Sequence, residues 1–240
     1  MSAASFKHSG DLGDIIYSLP AVRALGGGVL YLDVNGGESD PIVQQQTVRG
    51  RCKFNQAGYD FIRPLLMEQP YLQDVRIWSG EPIQYNLDSS RLHMGDVRTN
   101  LAVFYMRAFG LDETVVHQSW LSLKSSPISL PKPIIVNRTV RYQSKYHWWE
   151  LNIRPLLAQA VFMGLEKEHE IFEYTFDCKI DFHKGADALE IARILAGSQL
   201  LIANQSFIMS IAIGLGTAFA QEVYDSAPNC IFQRANAQYF

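Results

Sequence analysis

The sequence has few of the features that mark several large classes of protein. Only three of its 240 residues are cysteine, and Cys52, Cys178 and Cys230 form no CxxC or Cys/His cluster. Reduced thiols and no metal site are therefore expected. A formal net charge of -3 gives no general attraction to nucleic acid or anionic membrane. The most apolar run, 207–220, is interrupted by two glycines and is too short to span a bilayer. With no apolar signal-peptide core at its N-terminus, the chain is expected to be cytoplasmic and without a membrane span.

Apolar segments with helical or strand-like spacing follow one another in two α/β series. The first series predicts a helix over 14–25, kinked or shortened by Pro20, and then a strand over 29–34. It continues with a helix at 57–67, a strand at 74–78, a helix at 97–109 and a strand at 120–123. The second series predicts strands at 134–136, 170–176, 199–203 and 217–220, with helices at 154–163, 186–195 and 206–215.

A segment rich in proline and serine separates the two series. Its composition favours an extended connector over a helix or a central strand. We therefore predict an N-terminal domain at 1–125, a linker at 126–132 and a C-terminal domain at 133–240. Two strand–helix series joined in this way predict two Rossmann-like, doubly wound domains that face each other across a cleft.

The loop after the first strand contains two aspartates and two glycines. It matches neither GxxxxGK[ST] nor GxGxxG, and carboxylates at a helix start would repel phosphate. A carboxylate there can instead accept a proton from an attacking hydroxyl. The other interpretation is that Asp11 or Asp14 only caps the helix, a role for which aspartate is favoured. The residues of this loop alone leave both roles open.

Residues 8–25, HSGDLGDIIYSLPAVRAL, resemble the amino-terminal signature of the ADP-heptose:lipopolysaccharide heptosyltransferase family. The resemblance implies the GT-B fold, in which the active site lies between two Rossmann-like domains. It also implies that Asp14 is the catalytic base. The surrounding acceptor-side loop then comprises Ser9, Gly10, Asp11 and Gly13.

Residues 188–218 are similar to the donor-binding segment of the same family. A strand there feeds a helix whose free N–H groups can hold a pyrophosphate. The resemblance places Asn204, Gln205 and Ser206 at the donor, with Glu222 as a partner for a ribose or sugar hydroxyl. Gln205 replaces the family's aspartate and Phe207 its glycine, which predicts a divergent donor site. The other interpretation is an ordinary strand–helix unit with a polar helix cap.

The loop after strand 134–136 is the third candidate site. In the family this loop contacts donor phosphate through threonine and basic side chains. The resemblance assigns that role here to Asn137, Arg138, Thr139, Arg141 and Lys145. Arginine suits phosphate because its guanidinium is a planar fork of donors. The other interpretations are a solvated basic loop, or a loop that binds single-stranded nucleic acid.

We predict a glycosyltransferase that moves a sugar from a nucleotide-diphosphate sugar to an acceptor hydroxyl. The sequence has no DxD motif, which fits a metal-independent enzyme of this kind, and no cofactor is expected beyond the nucleotide-sugar co-substrate. A glycan or small-molecule acceptor is favoured over nucleic acid. The alternatives are a non-catalytic nucleotide or sugar-phosphate binding protein and a nucleic-acid-modifying glycosyltransferase.

Overall fold

The chain folds into two parallel β-sheets. The computed structural model describes residues 3–35, 54–96, 98–144 and 148–240. The first sheet has the order β3-β2-β1-β4. Its strands are β1 (Ala4–His8), β2 (Gly28–Leu32), β3 (Leu72–Ile77) and β4 (Tyr85–Asn86). Phe6 lies opposite Leu30 on β2 and opposite Tyr85 on β4, so β1 lies between β2 and β4 in the sheet.

The second sheet has six strands in the order β10-β9-β8-β5-β6-β7. They are β5 (Ile134–Asn137), β6 (Ala160–Met163), β7 (Asp181–His183), β8 (Leu200–Asn204), β9 (Phe219–Glu222) and β10 (Ala237–Tyr239). Every residue of β5, β6 and β9 is buried. Such continuous burial is expected of parallel strands that are covered on both faces.

Helices connect the strands of both sheets. The α-helices are α1 (Leu12–Ala24), α2 (Gln56–Met67), α3 (Leu101–Ala108), α4 (Trp148–Asn152), α5 (Glu166–Phe176), α6 (Ala188–Gly197) and α7 (Phe207–Leu215). Shorter 3-10 helices cover Leu87–His93, Glu113–His117 and Arg154–Gln159. Side-chain oxygens of Asn55, Asn100, Asp187 and Ser206 cap the starts of α2, α3, α6 and α7. Within the described residues, no helix is long and apolar enough to cross a membrane.

The predicted α/β class with two parallel sheets is confirmed, but three local predictions are wrong. Residues 154–163 are a 3-10 helix followed by β6, because a short apolar run does not distinguish a buried strand from a helix. Residues 170–176 belong to α5, which buries Phe172 and Phe176 four residues apart on one face. Residues 120–123, which are mostly apolar, form no strand.

Helix α1 contains a proline, and a distant tryptophan compensates for it. The helix begins at Leu12, earlier than predicted, and continues through Pro20. Because proline has no N–H, the carbonyl of Ile16 loses its normal partner within the helix. The indole Nε1 of Trp120 donates to that carbonyl at 3.1 Å. A residue 104 positions away thus completes the hydrogen bonding of α1.

The segment that contains Trp120 also contacts the end of α7. The N–H groups of Trp120 and Leu121 both donate to the carbonyl of Gly214, at 2.9 and 3.0 Å. This carbonyl lies in the last turn of a helix, where no intrahelical partner is available. A Cβ on Gly214 would lie 2.7 Å from Leu121 Cδ1, so the close approach requires glycine. The segment therefore joins α1 of the first half to α7 of the second.

One cluster of buried apolar side chains extends through both halves, from Phe6 in β1 to Leu201 in β8. Aromatic contacts cross between the halves, with Phe61 of α2 at 5.9 Å from Phe207 of α7. The predicted linker 126–132 contains no helix or strand, and its Ile128 N–H donates to Arg193 in α6 at 2.9 Å. The proposed division into domains 1–125 and 133–240 stays a prediction.

We expect the Trp120→Phe substitution to lower the free energy of unfolding by about 1–3 kcal/mol, because the Ile16 carbonyl would lose its donor. In a Pro20→Ala background the backbone N–H at position 20 can serve that carbonyl. The same substitution should then cost about 1 kcal/mol less. Urea denaturation measures the wild type, the two single variants and the double variant. The control is Tyr174→Phe, because the side chain of Tyr174 is 90% exposed. Equal costs in both backgrounds would show that the indole does not replace the missing N–H.

Candidate active site

The strand order defines one switch point in each sheet. In the first sheet the chain runs outward from β1 to β3, and β4 then lies on the other side of β1. In the second sheet it runs from β5 to β7, and β8 then lies on the other side of β5. Open parallel sheets bind ligands outside the carboxyl ends of the strands at such points. The residues that follow β1, β4, β5 and β8 are therefore the first candidates for a site.

At the first switch point a serine and an aspartate join the ends of β1 and β4. Ser9 donates its backbone N–H to Asp88 Oδ1 at 3.2 Å and its hydroxyl to Asp88 Oδ2 at 2.6 Å. The ammonium of Lys7 lies 3.6 Å from Asp88 Oδ2 and 3.9 Å from Asp33 Oδ2. All four side chains are buried. The sequence analysis predicted Ser9 at this site but missed Lys7, Asp33 and Asp88.

A buried histidine fixes the turn that follows Ser9. The N–H of Gly10 donates to His8 Nδ1 at 2.8 Å, so the ring proton must lie on Nε2, which is 2.8 Å from the hydroxyl of Tyr105. Burial lowers the pKa of His8 to about 4, which keeps the ring neutral. A Cβ on Gly10 would lie 2.5 Å from His8 Cε1. Glycine is therefore required at this position.

Asp14 lies in the first turn of α1 and is partly buried. Burial raises its pKa to about 6, and the negative charges of Asp11 and Asp88 act in the same direction. The positive charges of Arg91 from the first half and Arg141 from the second half act in the opposite direction. Asp11 is the N-cap residue of α1 by position, yet its side chain makes no capping hydrogen bond.

The start of α1 lies against the start of α7. A Cβ on Gly13 would be 3.8 Å from Ser210 Oγ and 4.0 Å from the Cα of Phe207. Phe207 itself packs its ring against Phe61. The acceptor-side loop predicted in the first half is thus adjacent to the predicted donor helix in the second half.

At the second switch point, amide and hydroxyl groups join the ends of β5 and β8. Asn204 Oδ1 accepts from the N–H of Thr139 at 3.0 Å, and Asn204 Nδ2 donates back to the carbonyl of Thr139 at 3.0 Å. Ser206 donates its hydroxyl to Asn137 Oδ1 at 2.7 Å while it caps α7. Asn137 and Asn204 are buried. These residues hold the two loops together in a defined geometry.

Arg138 and Glu222 form a bidentate ion pair. Both nitrogen–oxygen distances are 2.8 Å, and Glu222 is fully buried. Glu222 also accepts from the N–H of Ser144 at 2.8 Å. The guanidinium of Arg138 lies 5.5 Å from the centre of the Trp149 ring. Within the protein, Arg138 and Glu222 therefore satisfy each other and fix the loop 138–144.

Arg141 is exposed at the tip of that loop, and its charge reaches both Asp14 and Glu168. Burial raises the pKa of Glu168, which lies in the first turn of α5 just beyond the end of β6. Glu168 was not predicted. The N-cap residue of α5 is Leu165, so the Ser/Thr-x-x-Glu pattern that marks a helix start is absent, and no local signal in the sequence identifies this carboxylate.

The predicted site residues differ in how far they remain available to a ligand. Gln205 is buried, with its amide donating to Ala227 and its carbonyl oxygen accepting from Tyr224. Lys145 lies outside the described residues. Asp14 and Arg141 keep contact with solvent. The structure thus brings the predicted donor and acceptor residues to adjoining strand ends, and their roles in binding or catalysis stay predictions. In the described part of the chain, no group of three or more His, Cys, Asp or Glu could hold a metal ion.

We expect Glu222→Gln to lower the free energy of unfolding by about 3–5 kcal/mol, because the guanidinium of Arg138, whose side chain is only 11% exposed, would lose its counter-charge. The matched control is Glu113→Gln, which breaks a bidentate pair with Arg107 whose side chains are each 43% exposed. That control should change stability by at most about 1 kcal/mol. Urea denaturation followed by tryptophan fluorescence measures both, and similar losses in the two variants would contradict the prediction.

No protein-family model and no curated protein matches the sequence. Solved structures do match it over its whole length. The family 9 glycosyltransferase of Veillonella parvula has a TM-score of 0.61 at 12% identity, covering 100% of this chain and 87% of that one. The ADP-heptose LPS heptosyltransferase II of E. coli has a TM-score of 0.63 at 14% identity, covering 100% and 90%. The dodecameric iron-containing heptosyltransferase TibC in complex with ADP-D-beta-D-heptose has a TM-score of 0.59 at 13% identity, covering 99% and 64%. At these identities the likeness establishes the fold, which is the GT-B fold that the sequence resemblance implied.

Proposed function

We propose that the protein is a nucleotide-sugar-dependent glycosyltransferase in which Asp14 removes the proton of an acceptor hydroxyl. The observation that carries this proposal is the position of Asp14. It is a partly buried carboxylate with a pKa raised to about 6, at the first switch point and within electrostatic reach of Arg141 from the other half. A general base is most effective when its pKa lies near the working pH.

The donor is assigned to the second switch point. Arg141 is the arginine at this edge that remains exposed, whereas Arg138 is paired with Glu222. We therefore assign the diphosphate to Arg141 and to the first N–H groups of α7, beside the hydroxyls of Thr139 and Ser206. Helix starts bind phosphate because their N–H groups and the helix dipole both favour negative charge. The solved structures with this fold include one with a bound ADP-heptose.

Glu168 is assigned to the ribose of the donor. It lies just beyond the end of β6, the strand next to β5 on the side away from β8. In dinucleotide-binding sheets a carboxylate at the end of the second strand accepts a hydrogen bond from a ribose hydroxyl. The charge of Arg141 acts on Glu168, which supports assigning the ribose to the same edge as the diphosphate.

The proposed reaction needs one base and one stabilised leaving group. Asp14 takes the acceptor proton as the acceptor oxygen bonds to the anomeric carbon of the donor sugar. The bond from that carbon to the diphosphate oxygen breaks, and the nucleoside diphosphate leaves with its electron pair. Arg141 and the α7 N–H groups stabilise the charge that develops there. This scheme requires no metal and no cofactor besides the nucleotide sugar.

Nucleotide binding is the first test of this function. A thermal-shift panel of UDP, ADP, GDP and CMP should contain a ligand that, at a hundredfold excess over its Kd, stabilises the protein by about 2.7 kcal/mol. Arg141→Ala should weaken that ligand about tenfold, since a charge-assisted hydrogen bond to phosphate is lost. Arg76→Ala, which removes an exposed arginine from β3, is the matched control. No response to any nucleotide would refute the donor assignment.

Transfer by an Asp14→Asn variant is the second test. We expect turnover to fall by about 10²–10⁴-fold while nucleotide affinity is retained, because the amide cannot accept the proton. In the wild type, kcat/KM should rise with pH and level off above a midpoint near 6, since only the ionised carboxylate is a base. Nucleotide binding without transfer in the wild type would instead indicate a binding protein. An active Asp14→Asn variant would remove Asp14 from the mechanism.

A further inference from the structure

Asp88 lies at the first switch point but takes no part in the reaction proposed above. Its carboxylate is 1% exposed, so it cannot touch an acceptor or a donor. Nevertheless both of its oxygens are engaged by one residue, Ser9, which is 79 positions earlier in the chain. The ion pair with Lys7 offsets part of the cost of burying this charge.

Ser9 begins the turn that leads into α1. The N–H of Gly10 is held by His8, while the side chain of Asp11 makes no capping bond to the helix. Ser9 is fully buried, so water cannot replace a lost partner at its N–H or hydroxyl. The Ser9–Asp88 contact thus fixes the residue from which the chain leaves β1 and turns into α1, before Asp14 is reached.

We propose that Asp88 is a positioning residue, which holds Ser9 and thereby fixes the turn that presents Asp14 to the second half of the molecule. Its effect on transfer rests on the proposed function, whereas its effect on the turn does not.

The carboxylate of Asp88 also acts on Asp14 through space. The charged groups that act on Asp14 are Asp11, Asp88, Arg91 and Arg141, and its buried neighbours Tyr17, Tyr105 and Cys230 have pKa values raised by burial.

Two variants separate the hydrogen bonds of Asp88 from its charge. Ser9→Ala removes the hydroxyl bond and leaves the carboxylate in place. Asp88→Asn keeps an oxygen for the Ser9 N–H, can donate to the Ser9 hydroxyl, and removes the charge. The control is Asp112→Asn, because Asp112 accepts from the N–H and hydroxyl of Thr114 at 2.9 and 2.8 Å in the same way, on an exposed part of the chain.

The measurements are amide hydrogen exchange over residues 9–13, the titration of the Asp14 carboxyl carbon by NMR, and the steady-state kinetics of transfer. We expect Ser9→Ala to speed exchange in the turn with little change in the Asp14 midpoint. Asp88→Asn should move that midpoint to lower pH, because a negative charge that raises the pKa of Asp14 is gone. Both variants should lower kcat by about tenfold to a hundredfold, with the donor KM within about twofold of wild type. Asp112→Asn should match the wild type throughout.

The possible failures are distinguishable. If the wild type transfers no sugar, the proposed function fails, while hydrogen exchange and the Asp14 titration still decide the role of Asp88. If Asp88→Asn does not fold, faster exchange in folded Ser9→Ala supports the proposal, and unchanged exchange overturns it. Folded Asp88→Asn and Ser9→Ala proteins with wild-type exchange, Asp14 midpoint and kcat would also overturn it.

Discussion

The structure depends on the direct packing of α1 against α7. Gly13 at the start of α1 lies beside Phe207 and Ser210 of α7, and Trp120 joins the two helices by donating its indole N–H to Ile16 of α1 and its backbone N–H to Gly214 of α7. The proline in α1 creates the unpaired carbonyl that the indole fills. Since α1 follows β1 and α7 follows β8, the contact between the two helix starts brings the carboxyl ends of β1 and β8 near each other. A site assembled from both halves follows from that packing.

Most polar side chains at the two switch points hold the surrounding loops in place. A buried polar group without a partner costs about 1–3 kcal/mol, so the fold must satisfy the loops before it can present them. Asp88 does so for Ser9, Asn204 for Thr139, and Glu222 for Arg138. The polar groups that remain available to a ligand are those that are not needed to hold a loop in place. This division explains why a residue in a motif can be essential without touching a substrate.

Features carried by consecutive residues could be predicted from the sequence, whereas contacts between residues far apart in the chain could not. Periodicity predicted the alternation of helices and strands, and the loop motif identified Asp14, because both are properties of consecutive residues. Asp88 was missed because its partner Ser9 is 79 positions away, and nothing in the local sequence marks the pair. The strand predicted at 120–123 failed for a similar reason. The segment is mostly apolar, as a buried strand would be, but the N–H groups of Trp120 and Leu121 donate to the end of α7 instead of to a neighbouring strand.

The two interpretations of Asp14, a helix cap and a catalytic base, make opposite demands on its titration. A carboxylate that stabilises a helix start is itself stabilised by the helix dipole, which lowers its pKa. Arg91 and Arg141 act in the same direction, yet burial and neighbouring carboxylates raise the pKa of Asp14 to about 6. The folded state therefore disfavours the ionised form, and stability decreases as pH rises from the unfolded value toward 6. A carboxylate that only stabilises the helix start gains nothing from this burial, whereas a general base would gain proton affinity from it.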